Sequence, residues 1–434
     1  MKFVAGERAQ VPNDFYDQVK GKVASYIGDL LYAASDATYS TQEASLYLPS
    51  DNEILSSLLK LFNEKKTETL KYIFVCGIGG SSLGARAFYE AEYLFLDSIK
   101  AHTPKIIFVD TVEGKFLSAV LATLQNISSL EEILLIGITK SGTTTETAID
   151  LEILIKEFSQ KFRKGALFER MVFITDEGSR LARVAIERKI ETLFIPKLVG
   201  GRYSVFSPVG LFPLLFVGID ISSLLKKAQE TLFWCLNRDL NDNPAFASAA
   251  ALLFHKKKGS SMHNLFLFNK DLEALGKWYA QLLAESIGKE EDKDGKIVNE
   301  GITPLISVGP EDLHSKAQLY LGGPRDKITT FMHLLQKEDI SVPKPQELVL
   351  VENLDGKKTG EVLPAIYEGA KKAYEKKGLP FMEIILEDYT DIASFMQFKM
   401  VEIMILGHLL NIDVFNQPAV ELYKKETRGI LGTS

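Results

Sequence analysis

The chain holds 434 residues, 46% hydrophobic and 25% charged, with a formal net charge of −7. These proportions fit a soluble globular protein of two or three domains. The acidic balance argues against nucleic acid or an anionic membrane surface as the main partner.

The N-terminal MKFVAGERAQ lacks a signal-peptide core, and two cysteines, Cys76 and Cys235, argue against a disulfide framework. The strongest apolar stretch, 211–219, contains Pro213 and stops at Asp220, too short to span a bilayer. The expected location is the cytoplasm.

Residues 1 to about 70 read as helical and polar, without legible chemistry. A strand follows at 72–76, then GIGGSSLG at 77–84 and a helical pattern through Tyr93. Strand, glycine turn and helix form a phosphate-binding arrangement, because glycines admit the backbone and a helix N-terminus faces the anion. The dinucleotide fingerprint is broken, since Ser82 stands where a third glycine is wanted, although Asp110 closing the next strand (105–110) mimics the ribose-binding acid. Further strands are expected at 133–138, 171–175 and 192–195 with helices between them. This alternation predicts a parallel, doubly wound sheet whose ligand lies beyond the carboxyl ends of its strands.

Strand 133–138 runs into TKSGTTTET, in which Thr139, Ser141, Thr143, Thr144, Thr145 and Thr147 surround Gly142. Hydroxyls and helix-start amides make an anion site that suits phosphate, the alternative being ordinary capping. In KLVGGRYSVFSPVG (197–210), paired glycines allow Arg202 to project from a tight turn, the alternative being a solvated loop arginine.

A second α/β unit begins near 240, with strands expected at 264–268, 304–308, 326–331, 347–351 (ELVLV) and 381–386. The helix at 271–287 has an apolar stripe of Leu272, Leu275, Trp278, Tyr279, Leu282 and Leu283. Glu285 sits at the edge of that stripe, seven residues after Trp278, where an apolar wall favours a carboxylate of raised pKa. KEEDKDGK (289–296) reads as a solvated loop, and 392–410 as a buried helix with His408 in the core. His314 starts a helix after strand 304–308; His102, His255, His263 and His333 have no supporting context. No histidine or cysteine pair has metal-ligand spacing, so no protein-bound metal and no cofactor are expected.

Taken together, GIGGSSLG, TKSGTTTET, VGGRYSVFSPVG (199–210), QLLAESIGK (281–289), DLHS (312–315) and FNQPAVELYK (415–424) resemble the glucose-6-phosphate isomerase (phosphoglucose isomerase) family. They run in family order over roughly four fifths of the chain. The resemblance implies two sugar-isomerase-type doubly wound domains, 51–230 with the phosphate loops and 231–390. Helical segments at 1–50 and 391–434 flank them, the latter packing back on the active site. It further implies that Gly80, Ser81, Thr139, Ser141, Thr143, Thr144, Gly201 and Gln417 bind a sugar phosphate and that Glu285 shuttles a proton between C2 and C1. Arg202 would stabilise the enediolate, while His314 and Lys424 would open the sugar ring. The histidine would come from a partner subunit, which implies a homodimer with its active site at the interface. Two departures, Ala419 where the family usually has glycine and Ser82 where some relatives carry aspartate, touch none of these positions. A non-catalytic sugar-phosphate sensor is the rival reading, and an NAD-linked enzyme the third.

Overall fold

The computed structural model describes residues 1–99, 104–335 and 338–432. In chain order the strands are β1 (Lys2–Val4), β2 (Tyr72–Cys76), β3 (Lys105–Val109), β4 (Ile133–Ile138), β5 (Met171–Asp176), β6 (Glu191–Ile195), β7 (Met262–Leu267), β8 (Lys289–Glu291), β9 (Ile297–Glu300), β10 (Thr303–Val308), β11 (Lys327–Leu334) and β12 (Phe381–Leu386). The chain divides into two units. One comprises Ser25–Leu236 with Lys277–Leu282; the other comprises Met1–Ala24, Asn237–Gly276 and Leu283–Ser434.

In the first unit the sheet order is β3-β2-β4-β5-β6, all parallel. The five strands expected here are found to within a residue at either end. Every residue of β4, ILLIGI, is buried, because a parallel strand is covered on both faces. Gly137 admits the helix Thr145–Lys161: a Cβ there would lie 2.9 Å from both the Leu151 and Phe173 side chains. Phe74, Leu135, Leu151, Leu154, Phe158 and Phe173 belong to this core, with Phe74 and Phe158 edge-to-face at 5.4 Å. The chain leaves β2 for β3 on one side and comes back to β4 on the other. Such a reversal opens a crevice at the carboxyl ends of the two strands. The glycine turn and the hydroxyl turn are the segments that leave those ends.

The second unit orders its strands β1-β12-β11-β7-β10, all parallel except β1, which pairs antiparallel with β12 (Lys2 opposite Ile385). From β7 the chain again goes first to one side and then to the other, so both units trace the same path. Its core is aromatic: Phe331 lies 5.6 Å from Phe266, nearly parallel, and 4.9 Å from Tyr374, edge-on. These offset and edge contacts are what ring quadrupoles favour.

Three expectations are corrected. ELVLV at 347–351 is not a strand but part of an excursion between β11 and the helix Thr359–Lys376, and Leu348, Val349, Leu350 and Val351 are exposed. Its β-branched composition has no neighbouring strand to pair with among the described residues. KEEDKDGK is not a plain loop, because β8 and β9 pair as an antiparallel hairpin. The Asp292 carboxylate accepts the Asp294 and Lys296 amides, and Gly295 takes φ +77°, which is Asx-turn chemistry. Residues 2–4 form β1 rather than helix.

The helix Asp391–Leu410 is long and apolar enough to cross a membrane, yet 89% of its apolar window is buried inside the fold. It reads as core. Lys399 donates to Glu402 at 2.7 Å within it, both side chains fully buried. His408 is less buried than expected, with its Nε2 2.9 Å from the Lys22 carbonyl.

Candidate active site

The turn after β2 is built by close approach. A Cβ on Gly77 would lie 2.9 Å from the Ser81 Cβ and 3.0 Å from the Ile138 carbonyl oxygen, so this turn packs against the end of β4. Gly79 takes φ +60°, a left-handed conformation that costs glycine little. Gly79–Ser81 form one tight turn, closed by the Ser82 N–H on the Gly79 carbonyl at 3.0 Å. The helix Leu83–Ile99 follows, and its first amides have no partner within the helix.

The turn after β4 supplies the hydroxyls. Thr139 is buried, with its hydroxyl 2.8 Å from that of Thr144. The Ser141 hydroxyl lies 3.0 Å from that of Thr143 and accepts the Thr143 N–H at 3.2 Å. Gly142, at φ +71°, bends the turn, and the helix Thr145–Lys161 begins immediately after it. From behind, the Thr175 hydroxyl donates to the Thr139 carbonyl at 2.7 Å and lies 2.8 Å from the Ser179 hydroxyl. Hydroxyls already held in place lose little freedom when an anion arrives.

Arg202 is not a solvated loop arginine. It is 2% exposed, with its guanidinium carbon 5.3 Å from the centre of the Tyr203 ring. A Cβ on Gly80 would overlap the Gly201 carbonyl group, so the glycine turn and the arginine turn meet backbone to backbone. Gly80, Ser81, Gly201 and Arg202 are thereby gathered in one place.

Lys140 was not legible as a functional residue, although a lysine among hydroxyls was the available signal. Its ammonium donates to the carbonyls of Lys197 and Val199, at 2.8 Å each, and lies 4.0 Å from Asp176. Burial depresses the Lys140 pKa against the pull of Asp176. Burial likewise pushes the Asp176 carboxyl up to about 6, opposed by Lys140 and Lys197.

The remaining candidates, Glu285, His314, Gln417 and Lys424, lie in the second unit. Leu272, Leu275, Trp278, Tyr279, Leu282 and Leu283 are all buried, as their stripe requires. Glu285, half-buried, stands in the last turn of that helix, Glu273–Ile287. The buried Lys289 ammonium donates to the Glu285 carbonyl at 2.6 Å and to the Asn416 carbonyl at 2.9 Å. One cation therefore fixes the end of the Glu285 helix to the residue before Gln417. Gln417 is exposed, and its carbonyl accepts the Val420 N–H at the start of the helix Val420–Leu431. Lys424, on that helix, donates to Glu421 at 2.8 Å.

His314 is exposed on the short helix Glu311–Ser315. Asp312 pins that helix to the end of β10, accepting the Val308 N–H and the Lys316 ammonium. His255, His263 and His333 make core hydrogen bonds to the Ala9 carbonyl, the Thr330 hydroxyl and Asn269; His102 lies outside the described residues. Among the described residues no group of three or more His, Cys, Asp or Glu side chains is placed to hold a metal ion.

Comparison with known proteins adds an independent line. A family model described as phosphoglucose isomerase matches residues 62–433. The glucose-6-phosphate isomerase of Carboxydothermus hydrogenoformans is 33% identical over 396 residues, covering 89% of this chain and 83% of the relative. That of Methanocaldococcus jannaschii is 34% identical over 361 residues, covering 81% and 82%. Among solved structures, a hypothetical protein of Thermus thermophilus superposes with a TM-score of 0.85 at 26% identity, covering 99% of both chains. A glucose-6-phosphate isomerase of Chlamydia trachomatis superposes with a TM-score of 0.80 at 20% identity, covering 97% of this chain and 86% of that one.

Proposed function

The chain belongs to the phosphoglucose isomerase family, and from that membership we propose that it interconverts glucose 6-phosphate and fructose 6-phosphate. The reaction moves a proton between C2 and C1 through a cis-enediolate and serves glycolysis and gluconeogenesis. The observation that carries the reading is the pair of turns leaving β2 and β4, one of glycine and one of clustered hydroxyls, with Arg202 buried beside the first.

In this reading Ser81, Thr139, Ser141, Thr143 and Thr144, with the amides at Gly80 and Gly201, grip the phosphate. That grip lies away from the reacting carbons, so its binding energy positions the sugar. Glu285 takes the proton from one carbon and returns it to the other, as a single base must in an aldose–ketose exchange. Arg202 stabilises the oxyanion where charge develops, worth on the order of 10²–10³ in rate by analogy with other oxyanion donors. His314 and Lys424 carry protons to and from the ring oxygen, and Gln417 orients the sugar. The chemistry balances without a redox cofactor or a metal.

The exposure of His314 on a small, pinned helix is what a residue serving a partner's site requires. A cytoplasmic homodimer that shares its sites across the interface belongs to the same proposal.

The test is turnover of fructose 6-phosphate, read through a coupled dehydrogenase with a chelator present. We expect full activity in the chelator and a loss of at least about 10²-fold in kcat for Glu285→Gln, the lower range for a lost general base. Binding of fructose 6-phosphate without turnover would identify a sensor instead. Mixing His314→Ala with Glu285→Gln protein should restore activity if the histidine acts across the interface; persistent inactivity after subunit exchange would place it within one chain.

A further inference from the structure

The phosphate turn and the arginine turn leave different strands, and a reaction that uses both needs them held at a fixed spacing. The chain joins them through one side chain outside the proposed catalytic set. Lys140 follows Thr139 in the hydroxyl turn, and its ammonium donates at 2.8 Å to the carbonyls of Lys197 and Val199. Val199 is followed directly by Gly200, Gly201 and Arg202. We propose that Lys140 is a positioning residue, a strut that sets Arg202 relative to the phosphate grip; the proposal rests on the isomerase reading of this site.

Three observations favour a strut over a direct phosphate ligand. Two of the three ammonium donors are committed to backbone carbonyls, and an ammonium has no more than three. The Asp176 carboxylate lies 4.0 Å from the same ammonium and competes with an anion for it, and the Asp176 N–H donates to the Lys140 carbonyl at 3.2 Å. The turn is also clamped from behind by Thr175 and Ser179, so it is a fixed base from which a strut can act. Desolvating an ammonium is costly, and a turn that only had to bind phosphate would be better served by turning that charge towards the anion.

The contact at Gly80 is a second restraint on the same turn. The arginine turn is pressed on the glycine turn from one side and tied to Lys140 at its approach, leaving it little freedom. Small displacements of a charge that acts only in the transition state are expensive, on the order of 10² in rate for about 1 Å.

The experiment compares Lys140→Met and Lys140→Arg with the wild type in three readouts. Hydrogen–deuterium exchange in the 196–204 segment should rise at least about tenfold in Lys140→Met and stay unchanged in β2; unchanged exchange at 196–204 would overturn the strut whether or not the protein turns over fructose 6-phosphate. In turnover, kcat should fall by about 10-fold or more while the inhibition constant of inorganic phosphate moves less than about threefold, with Lys140→Arg recovering part of kcat. Loss of phosphate affinity at unchanged kcat would make Lys140 a ligand and overturn the proposal.

The third readout is a double-mutant cycle with Arg202→Lys, which should be strongly non-additive because one residue acts through the other; additive losses would refute it. Wild-type protein that fails to turn over sugar phosphate would fell the isomerase reading instead, a result the exchange data keep separate.

Discussion

Gly80 has no room for a side chain, and the reason is the neighbouring arginine turn rather than its own backbone torsion. Gly80→Ala must push the Gly201 carbonyl aside, so it should cost about 1–3 kcal/mol and lower kcat/KM together with stability, measured by urea denaturation and steady-state kinetics. Asp150 makes a prediction of opposite sign. It is fully buried, and among the described residues neither of its oxygens has a hydrogen-bond partner. Burial, with Asp110 and Glu146 nearby, raises its pKa to about 6. An unfolded carboxyl titrates near 3.9. Between about pH 4 and pH 6 the native state therefore holds the extra proton, so stability falls as pH rises through that window and stays lower above it. Asp150→Asn should match the wild type near pH 4 and exceed it at pH 8 by up to about 3 kcal/mol, as read from thermal unfolding at both values.

Residues of this kind mark the limit of the sequence. The hydroxyls of 139–147 and the glycines of 77–84 announce an anion site by type alone. The burial of Arg202 and the carbonyls taken by Lys140 depend on segments far apart in the chain, which periodicity does not join.

At the scale of elements, strands that are buried on both faces were legible, because a continuous apolar run bounded by turns has few other uses. Two of the corrected expectations have opposite causes. ELVLV has strand composition but no neighbour to pair with among the described residues, whereas the β8–β9 hairpin is hidden under charges and held by the Asp292 carboxylate rather than by apolar alternation.

The helix Glu273–Ile287 depends on Lys289 at its end, since the ammonium satisfies carbonyls from two segments at once. Lys289→Met should leave both without that donor and cost about 1–3 kcal/mol, with kcat falling more than KM rises. Within the helix Asp391–Leu410, Lys399→Met should be worse, about 3–5 kcal/mol, because it strands the buried Glu402 charge. The double variant with Glu402→Gln should recover part of that loss, as chemical denaturation would reveal.

At the scale of the whole molecule, Cys76 and Cys235 are both buried, and burial raises the Cys76 pKa well above that of an ordinary thiol. Native protein should therefore react with a thiol reagent only through opening, so both labelling rates should fall steeply as conditions stabilise the fold; rapid labelling of Cys76 in native buffer would contradict the burial. The class of fold, two parallel sheets with helices between their strands, was readable from the alternation of apolar runs. The antiparallel β1 was not, because three residues carry too little periodicity to declare a strand, and its partner β12 lies far along the sequence.

That pairing has a consequence for how the chain comes into being. β1 leaves the ribosome before any other strand described here, while β12, to which it pairs, is translated after all of them. Ser25–Leu236, by contrast, carries the whole β2–β6 sheet in one uninterrupted stretch. The natural order of assembly is then vectorial: that sheet can close while translation continues, and the residues of β1 must wait as an unpaired thread until β12 arrives to seal the other one.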